Sequence, residues 1–200
     1  DISLWEYFST LCFGGKVIIS PPEAHKDPEL IAKLIDRHLI TIIHFVPSVL
    51  KYFLSQITVQ CQSLRLIFSA GEALDMNLLK KYKKSQLNAK LLNLYGPSET
   101  SIGVTLWECE SQFSKSLIGK PFGGSTMYIL DSQLQPVPPL VSGELFIGGC
   151  TLSQGYINLP HLTEKCFINN PFHNENIIEN NSILYKTGDL CRYMYDGNIE

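Results

Sequence analysis

Several signatures of well-known enzyme classes are missing from this sequence of 200 residues. It has no G-x-x-x-x-G-K-[ST] phosphate loop, no G-x-G-x-x-G fingerprint and no G-x-S-x-G nucleophile elbow. With 16 basic and 19 acidic residues the formal charge is −3, so no broad basic surface favours nucleic acid. No apolar run approaches the roughly 18 residues of a membrane-spanning helix, and the first residues lack the layout of a signal peptide.

Cysteine and charge are both scarce. The six cysteines form no C-x-x-C pair, and none stands at zinc-site spacing from a histidine. This pattern favours reduced thiols in a cytoplasmic protein. A composition with 44% hydrophobic and 18% charged residues indicates a globular domain with an apolar core. The chain opens at Asp1 without a methionine and stops at Glu200, so we expect a stretch of a longer polypeptide.

In the first half, apolar strand patterns alternate with helix patterns. Asp27-Pro28 is typical of a helix cap followed by a first-turn proline. Continuous apolar strands separated by helices predict an α/β fold with a parallel sheet covered by helices on both faces. The predicted helices are Leu4–Phe13, Pro28–Arg37, Pro47–Ser55 and Asp75–Lys84, and the predicted strands are Lys16–Ser20, Ile40–Phe45, Leu64–Ser69 and Lys90–Leu94.

After about residue 105 the pattern becomes one of short strands and turns rich in Gly, Pro and Asn. We predict one helix, Leu162–Ile168, and an exposed loop at Asn169–Ser182. The predicted strands are Met127–Leu130, Glu144–Ile147, Ile183–Lys186 and Cys191–Tyr195. The sequence thus predicts an α/β part at residues 1–105 and a β-rich, distorted-barrel subdomain at 106–200.

The sharpest motif is the segment Asn93–Ser101, which directly follows an apolar strand. Open α/β sheets bind ligands at the carboxyl ends of their parallel strands. Gly96 allows a tight turn and close approach of a ligand, while Tyr95, Ser98 and Glu99 supply a ring, a hydroxyl and a hard anionic oxygen. This set suits a nucleotide with its magnesium. The alternative is a Gly-Pro turn with a solvated glutamate and a core tyrosine.

Two further loops carry weaker patterns. Ser69–Ala73 leaves another apolar strand with small residues, which is also typical of a plain helix entry. Tyr185–Leu190 places Asp189 after a turn, where it could accept hydrogen bonds from a ribose or simply cap the turn. His44 stands on a predicted buried strand, where a satisfied core histidine is the plainer interpretation.

Taken together and in order, these segments resemble the adenylation domains of nonribosomal peptide synthetases, members of the adenylate-forming family. Ser98 replaces the threonine of the family's YGPTE motif, and Ser153-Gln154 stand where Ala-Arg is usual. The segments that carry the resemblance are Asp1–Glu6 ("FDxS-W-E" without its Phe), Asn93–Glu99 ("N-x-YGPTE"), Gly143–Tyr156 ("GELxIxGxGxARGY"), Tyr185–Leu190 ("YKTGDL") and Asp196–Glu200, the lead-in to the hinge.

The resemblance implies that an amino-acid carboxylate attacks ATP, giving an aminoacyl adenylate and pyrophosphate. The acyl group then passes to the phosphopantetheine thiol of a carrier domain, with condensation domains as further partners. Glu99 would hold Mg²⁺ and Ser98 would bind a phosphate oxygen, so these two residues are the implied catalytic residues. Tyr95 would stack on the adenine, and Asp189 would bind the ribose hydroxyls. The implied nucleotide-binding residues are Gly71, Glu72, Asn93, Tyr95, Gly96, Ser98 and Asp189.

The resemblance also implies a substrate pocket. Asp1 matches the position that pairs with the substrate's α-ammonium group, which selects amino acids over plain fatty acids. The set resembles pockets for serine or another small residue, although Gly103 departs from the acidic residue expected in a serine pocket. The implied lining is Ile2, Trp5, His44, Phe68, Ala70, Leu94, Ile102 and Gly103.

Other functions stay open at this point. An acyl- or aryl-CoA ligase would leave Asp1 solvent-facing or unpaired, and a plain nucleotide-binding module would bind ATP with no pocket beside Asp1. A non-catalytic scaffold is a further alternative, against which the intact Glu99 and Asp189 argue. The family's phosphate loop and its lysine-bearing C-terminal domain are not among these residues, so we expect negligible adenylation by this stretch alone. Amino-acid activation requires the turn that carries Tyr95 and Glu99 to share a crevice with Asp1.

Overall fold

The computed structural model describes residues 2–57, 60–109, 115–173 and 182–200. Its contacts divide the chain into two compact units. The first unit is Asp1–Leu94 with Trp107–Ser116, and the second is Tyr95–Leu106 with Leu117–Glu200. The boundary at residue 105 that the sequence indicates stays a prediction.

The first unit contains a parallel sheet in the order β1-β2-β3. Its strands are β1 (Ile42–Phe45), β2 (Leu66–Ser69) and β3 (Lys90–Tyr95). Apolar side chains such as Ile67 and Leu91 are buried, as expected for a parallel sheet. The register places His44 opposite Phe68, so their side chains stand side by side on adjacent strands.

Helices follow or precede each of these strands: α1 (Ile2–Leu11), α2 (Pro28–His38), α3 (Pro47–Gln56) and α4 (Met76–Lys84). Local chemistry fixes where two of them begin. The Asp27 carboxylate accepts a hydrogen bond from the Leu30 N–H at 3.0 Å, and Asp75 accepts one from the Leu78 N–H at 2.6 Å. Each carboxylate satisfies an otherwise free donor of the first helical turn.

The second unit contains a four-stranded antiparallel sheet in the order β6-β7-β9-β8. Its apolar core is built on Val104, Ile129, Leu145, Ile147 and Ile199, each at most 2% exposed. Strands β4 and β5 pair antiparallel with each other, with Thr105 opposite Pro121. The elements are β4 (Thr105–Glu108), β5 (Lys120–Pro121), β6 (Ser125–Leu130), β7 (Gly143–Gly149), α5 (Pro160–Cys166), β8 (Phe167–Asn169) and β9 (Ile183–Cys191), preceded by a single 3₁₀ turn at Ser98–Thr100.

The predicted fold class is confirmed: a parallel sheet with helices precedes a β-rich part. The strand predicted at Lys16–Ser20 is wrong, because this stretch forms no regular secondary structure and Ile19 is 78% exposed. Apolar β-formers make a strand only where another edge is available for pairing.

In the second half one predicted helix is present with different bounds, Pro160–Cys166, and one predicted strand is wrong. The helix expected at Leu162–Ile168 ends at Cys166, since Phe167 and Ile168 pair with β9 instead. The strand expected at Cys191–Tyr195 contributes only Cys191 to β9. Arg192 exchanges backbone hydrogen bonds with Glu200, and the chain turns back between them.

The loop predicted at Asn169–Ser182 falls partly outside the described residues, which omit 174–181. Asn169 itself closes β8, and the Asn170 side chain accepts a hydrogen bond from the Phe172 N–H. In the part of the chain that the structure describes, no helix combines the length and the apolar character needed to cross a membrane.

The Asp27 cap of α2 gives a test of the local argument. We expect Asp27→Ala to lower the free energy of unfolding by about 1 kcal/mol, because the Leu30 N–H loses its acceptor. Asp27→Asn keeps a side-chain oxygen and is expected to retain most of the stability. Urea-induced unfolding of the three proteins measures the difference, and equal losses in both variants would contradict the capping role.

Candidate active site

The loop after β3 is shaped by a glycine that no other residue can replace without rearrangement. A Cβ atom on Gly96 would lie 2.6 Å from the Ile102 carbonyl oxygen and 2.8 Å from the Gly103 Cα. The Val104 N–H donates to the Tyr95 carbonyl at 2.8 Å, which closes the loop. The two ends of the loop approach each other closely at Gly96, because glycine has no Cβ that would collide with the backbone of Ile102 and Gly103.

Within this loop a 3₁₀ turn presents the two residues implied in catalysis. The Thr100 hydroxyl is buried and donates to the Pro97 carbonyl at 2.9 Å, which anchors the turn from inside. Ser98 is exposed, and Glu99 is half-buried. The turn thus directs a hydroxyl and a carboxylate away from the core of the second unit.

Tyr95 and Asp189 are directly hydrogen-bonded. The Tyr95 hydroxyl donates to Asp189 Oδ2 at 2.5 Å, joining residues 94 positions apart within the second unit. Burial, and after it the hydrogen bond to the Asp189 carboxylate, raises the pKa of Tyr95. The phenol therefore stays protonated at neutral pH and acts as a fixed donor. Two residues predicted to hold adenine and ribose lie side by side.

The backbone that carries Asp189 is itself fixed. Thr187 Oγ1 accepts from the Asp189 N–H at 3.0 Å and donates to the Leu145 carbonyl at 2.8 Å. The Gly188 N–H donates to the Glu144 carboxylate, and the φ of Gly188 is +80°. This irregularity within β9 turns the Asp189 side chain to the surface, where a ligand can reach its carboxylate.

Glu99 is held by Tyr156, a residue to which the sequence assigned no role. The Tyr156 hydroxyl donates to Glu99 Oε1 at 2.6 Å, and the Ser153 N–H donates to the Glu99 carbonyl at 2.8 Å. The hydrogen bond to Glu99, and after it burial, raises the pKa of Tyr156. One oxygen of the carboxylate is thereby oriented by a neutral donor.

A second glycine positions Tyr156. Gly155 has φ +118°, and a Cβ there would lie 2.3 Å from Thr163 Cγ2. The Thr163 hydroxyl accepts from the Tyr156 N–H at 2.9 Å, and the Tyr156 ring meets the edge of Phe167. The Gly-Tyr pair at the end of the third quoted motif therefore packs on α5 so that the phenol faces Glu99.

The residues just after the turn are strained. Ser101 has φ +63° and Ile102 has φ +79°, so both lie in the left-handed region of the backbone. The β-branched side chain of Ile102 rarely adopts this conformation. The Ser101 hydroxyl donates to the Thr151 carbonyl at 2.7 Å and helps to hold this backbone. Strain of this kind costs about 1–3 kcal/mol per residue and is typical of ligand sites.

In the first unit, three residues predicted for the substrate pocket form one aromatic group. The Trp5 ring on α1 lies edge-on to Phe68 at 4.8 Å and to His44 at 6.4 Å between ring centroids. Edge-to-face geometry at these separations is favourable. The carboxylate of Glu6, the next residue of α1, lies 3.1 Å from His44 Nδ1. Sequence reasoning missed Glu6.

The loop after β2 is tied to the start of α3. Glu72 accepts hydrogen bonds at 2.9 Å from both the N–H and the hydroxyl of Ser48. Its side chain therefore serves the first turn of α3, while Gly71 at φ +86° lets the backbone turn sharply. Ala70, Asn93 and Leu94 are buried.

The predicted site residues are thus brought together in two groups. Tyr95 meets Asp189 in the second unit, and Trp5, His44 and Phe68 meet in the first. Asp1 lies outside the described residues, so its ion pair with a substrate stays a prediction, as does the crevice it would share with Tyr95 and Glu99. The roles of Ile102 and Gly103 in the same pocket also stay predictions.

The two missed residues had only faint signals in the sequence. Glu6 follows Trp5 in the first quoted motif, and Tyr156 ends the third one. Their partners stand 38 and 57 positions away along the chain, so no local spacing indicates either pair.

Comparison with known proteins supports the resemblance. The family model for "AMP-binding enzyme" matches residues 1–157. Phosphinothricin tripeptide synthetase PhsB of Streptomyces viridochromogenes is 37% identical over all of this chain, which covers 16% of that protein. Enterobactin synthase component F of Escherichia coli is 35% identical, again over all of this chain and 16% of the relative.

Solved structures agree. The crystal structure of a four-domain nonribosomal peptide synthetase bound to AMP and glycine superposes with a TM-score of 0.87 at 31% identity, covering 100% of this chain and 14% of that one. The chain therefore spans about a sixth of the length of these relatives. A family match over most of the chain, with relatives above 30% identity along its whole length, leaves one conclusion: this chain belongs to the AMP-binding enzyme family.

Proposed function

We propose that this chain is part of an amino-acid-activating adenylation domain. ATP and an amino acid give an aminoacyl adenylate and pyrophosphate, and the acyl group then passes to a carrier-domain phosphopantetheine thiol. The observation that carries the proposal is the hydrogen bond between Tyr95, from which the loop that presents Glu99 begins, and Asp189 on β9, in a chain related to peptide synthetases along its whole length.

The second unit supplies the groups that would hold ATP. Tyr95 offers its ring to the adenine, while its hydroxyl is already engaged by Asp189. The Asp189 carboxylate is a pure acceptor and matches the two hydroxyl donors of a ribose. Because Tyr95 fixes one oxygen of this carboxylate, the ring and the acceptor keep a constant relation, which favours one pose of the nucleoside.

Glu99 is suited to a magnesium ion that accompanies the triphosphate. Its carboxylate is a hard oxygen donor, and among the described residues no group of three or more His, Cys, Asp or Glu is placed to hold a metal. Mg²⁺ in nucleotide sites uses one or two carboxylates together with phosphate oxygens and waters, so a single carboxylate fits. When bound, the ion supplies positive charge that offsets the charge of the triphosphate.

The remaining residues position the reacting groups. The exposed Ser98 hydroxyl donates to a phosphate oxygen, and Asp1 pairs with the α-ammonium of the amino acid. The substrate carboxylate attacks the α-phosphorus, an oxygen–phosphorus bond forms, and the bond to pyrophosphate breaks. The chain's contribution is to bring two anions into line, which requires orientation more than proton transfer.

The substrate and the partners follow from the same proposal. The first-unit residues Trp5, His44 and Phe68 would line the side-chain pocket, with serine or another small residue as the substrate. The acyl acceptor would be a peptidyl carrier domain, and a condensation domain would use the product. The reaction would take place in the cytoplasm.

Amino-acid-dependent ATP–pyrophosphate exchange tests this function. We expect the protein expressed from its complete reading frame to catalyse exchange with one or a few of the twenty amino acids, small hydroxylated ones first. Glu99→Gln and Asp189→Asn are expected to lower kcat/KM by 100-fold or more, since each removes a charge that acts on the bound nucleotide. Exchange driven only by fatty or aryl acids, or by no acid at all, would contradict the proposal.

The hydrogen bond between Tyr156 and Glu99 gives a sharper test of the magnesium site. Residues that orient a metal ligand typically contribute 10–100-fold to metal affinity. We expect Tyr156→Phe to raise the half-saturating Mg²⁺ concentration by about tenfold in the presence of ATP. Mn²⁺ binding followed by electron paramagnetic resonance measures the same change without turnover.

Tyr195→Phe is the matched control, because Tyr195 lies in the same unit and is 84% exposed. Its metal affinity should equal that of the parent protein. If Tyr156→Phe behaved like this control, or bound the ion more tightly, Tyr156 would have no orienting role toward Glu99.

A further inference from the structure

The third quoted motif begins with residues to which the proposed function gives no role. Gly143 and Glu144 open β7, in the antiparallel sheet of the second unit. Gly143 is tightly packed, since a Cβ there would lie 2.6 Å from the Leu130 carbonyl oxygen. The Glu144 side chain is 29% exposed, and its strand pairs with β9, the strand that carries Asp189. The contacts of Glu144 therefore have to be sought on β9.

The pairing of β7 with β9 changes register at this point. Glu144 stands opposite Leu190, and Phe146 stands opposite Lys186. Three residues of β9, Thr187–Asp189, therefore face a single residue of β7. A bulge of this kind takes the extra residues out of the ladder and turns a side chain in a new direction, and bulges are common beside active sites. The side chain at the end of this bulge is the carboxylate proposed to hold the ribose.

Two backbone donors of the bulge bond to side chains instead of the ladder. The Gly188 N–H donates to Glu144 Oε1 at 3.1 Å, and the Asp189 N–H donates to Thr187 Oγ1 at 3.0 Å. The Thr187 hydroxyl donates in turn to the Leu145 carbonyl at 2.8 Å. Thr187 lies within the bulge itself, whereas Glu144 holds the bulge from the neighbouring strand.

Gly188 depends on this bond because packing does not fix its position. Its φ is +80°, a conformation open to glycine at no steric cost. Apart from its chain neighbours, a Cβ at this place would meet no atom of the described residues within 4 Å. The hydrogen bond to Glu144 therefore restricts a residue that is otherwise free to rotate.

The second oxygen of Glu144 has a weaker partner. Oε2 lies 3.4 Å from Lys186 Nζ, and the Lys186 side chain is 47% exposed. Ion pairs that reach solvent typically contribute little, because water and salt screen them. The hydrogen bond to the Gly188 N–H is therefore the contact through which Glu144 acts on the bulge.

We propose that Glu144 is a positioning residue that holds the β9 bulge through the Gly188 N–H, so that the Asp189 carboxylate meets the ribose hydroxyls of the nucleotide. Glu144 then sustains the selection of a ribonucleotide over a deoxyribonucleotide without touching the substrate. This inference rests on the proposed function, since it takes Asp189 to bind the ribose.

The physical basis is the short range of a hydrogen bond. An acceptor distinguishes a hydroxyl from a hydrogen atom only when it lies within about 3.2 Å of the oxygen, so a displacement of about 1 Å removes the discrimination. Tyr95 orients Oδ2 of the Asp189 carboxylate, but it does not fix the backbone from which that side chain extends. Tyr95 and Glu144 thus hold the two ends of the same residue.

The experiment measures pyrophosphate exchange with ATP, 2′-deoxy-ATP and 3′-deoxy-ATP, using the protein expressed from its complete reading frame and its preferred amino acid. Each hydroxyl that Asp189 accepts is expected to contribute about tenfold to kcat/KM, since its loss removes a hydrogen bond to a charged group. Equal use of the three nucleotides by the parent protein would overturn the inference while amino-acid activation stands.

Variants at Glu144 separate positioning from a general structural role. Glu144→Ala removes the acceptor, and Glu144→Asp keeps the charge but is too short to reach the Gly188 N–H. We expect both to lower the tenfold preference to about threefold or less and to raise the KM for ATP, with the KM for the amino acid unchanged. Glu144→Gln keeps an oxygen at the same reach and should retain most of the preference. A purely structural defect would lower kcat/KM equally for all three nucleotides.

Two further variants complete the test. Glu164→Ala is the matched control, because Glu164 is an exposed glutamate on α5 of the same unit, and it should keep the parent preference. Lys186→Met removes only the ion pair and should do the same. If Glu144→Ala and Glu144→Asp keep the preference, or if Lys186→Met loses it as fully as they do, the positioning role is overturned and the proposed function stands. If the parent protein shows no exchange with any amino acid, both are overturned.

Discussion

A hydrogen bond from a neutral donor to a carboxylate is the interaction on which the candidate site depends. Three such pairs with a hydroxyl donor lie in the part of the chain that the structure describes. An ion pair with lysine or arginine would orient these carboxylates too, but it would offset their charge. A hydroxyl orients one oxygen and leaves the group anionic, which a site for cations, ammonium groups or ribose hydroxyls requires. The three pairs are Tyr95 with Asp189, Tyr156 with Glu99, and Ser48 with Glu72.

Glycines make two of these pairs possible. Gly96 and Gly155 each stand where a Cβ would collide with neighbouring atoms at less than 3 Å. In both cases the close approach places an adjacent tyrosine, Tyr95 or Tyr156, so that its phenol reaches a carboxylate from a distant segment. The need for glycine and the need for the tyrosine are therefore one structural requirement, which explains why the two residue types stand next to each other in these motifs.

The sequence predicts those features that local chemistry decides. Asp27 caps a helix because of its neighbours alone, and the apolar runs of the parallel strands need no distant information. The sequence predicts a helix that runs through Phe167, yet pairing with β9 determines the conformation of this residue. The bonds that hold Glu6 and Glu99 depend on strand register and on partners far along the chain, which no local pattern contains. The resemblance indicated Glu99 itself but not the tyrosine that orients it.

In the proposed reaction, recognition of the nucleotide and recognition of the amino-acid side chain use separate sets of residues. Tyr95, Asp189 and Glu99 belong to the second unit, whereas His44 and its partner Glu6 belong to the first. Every amino acid presents the same carboxylate to ATP, so the first set can stay constant while the second decides identity.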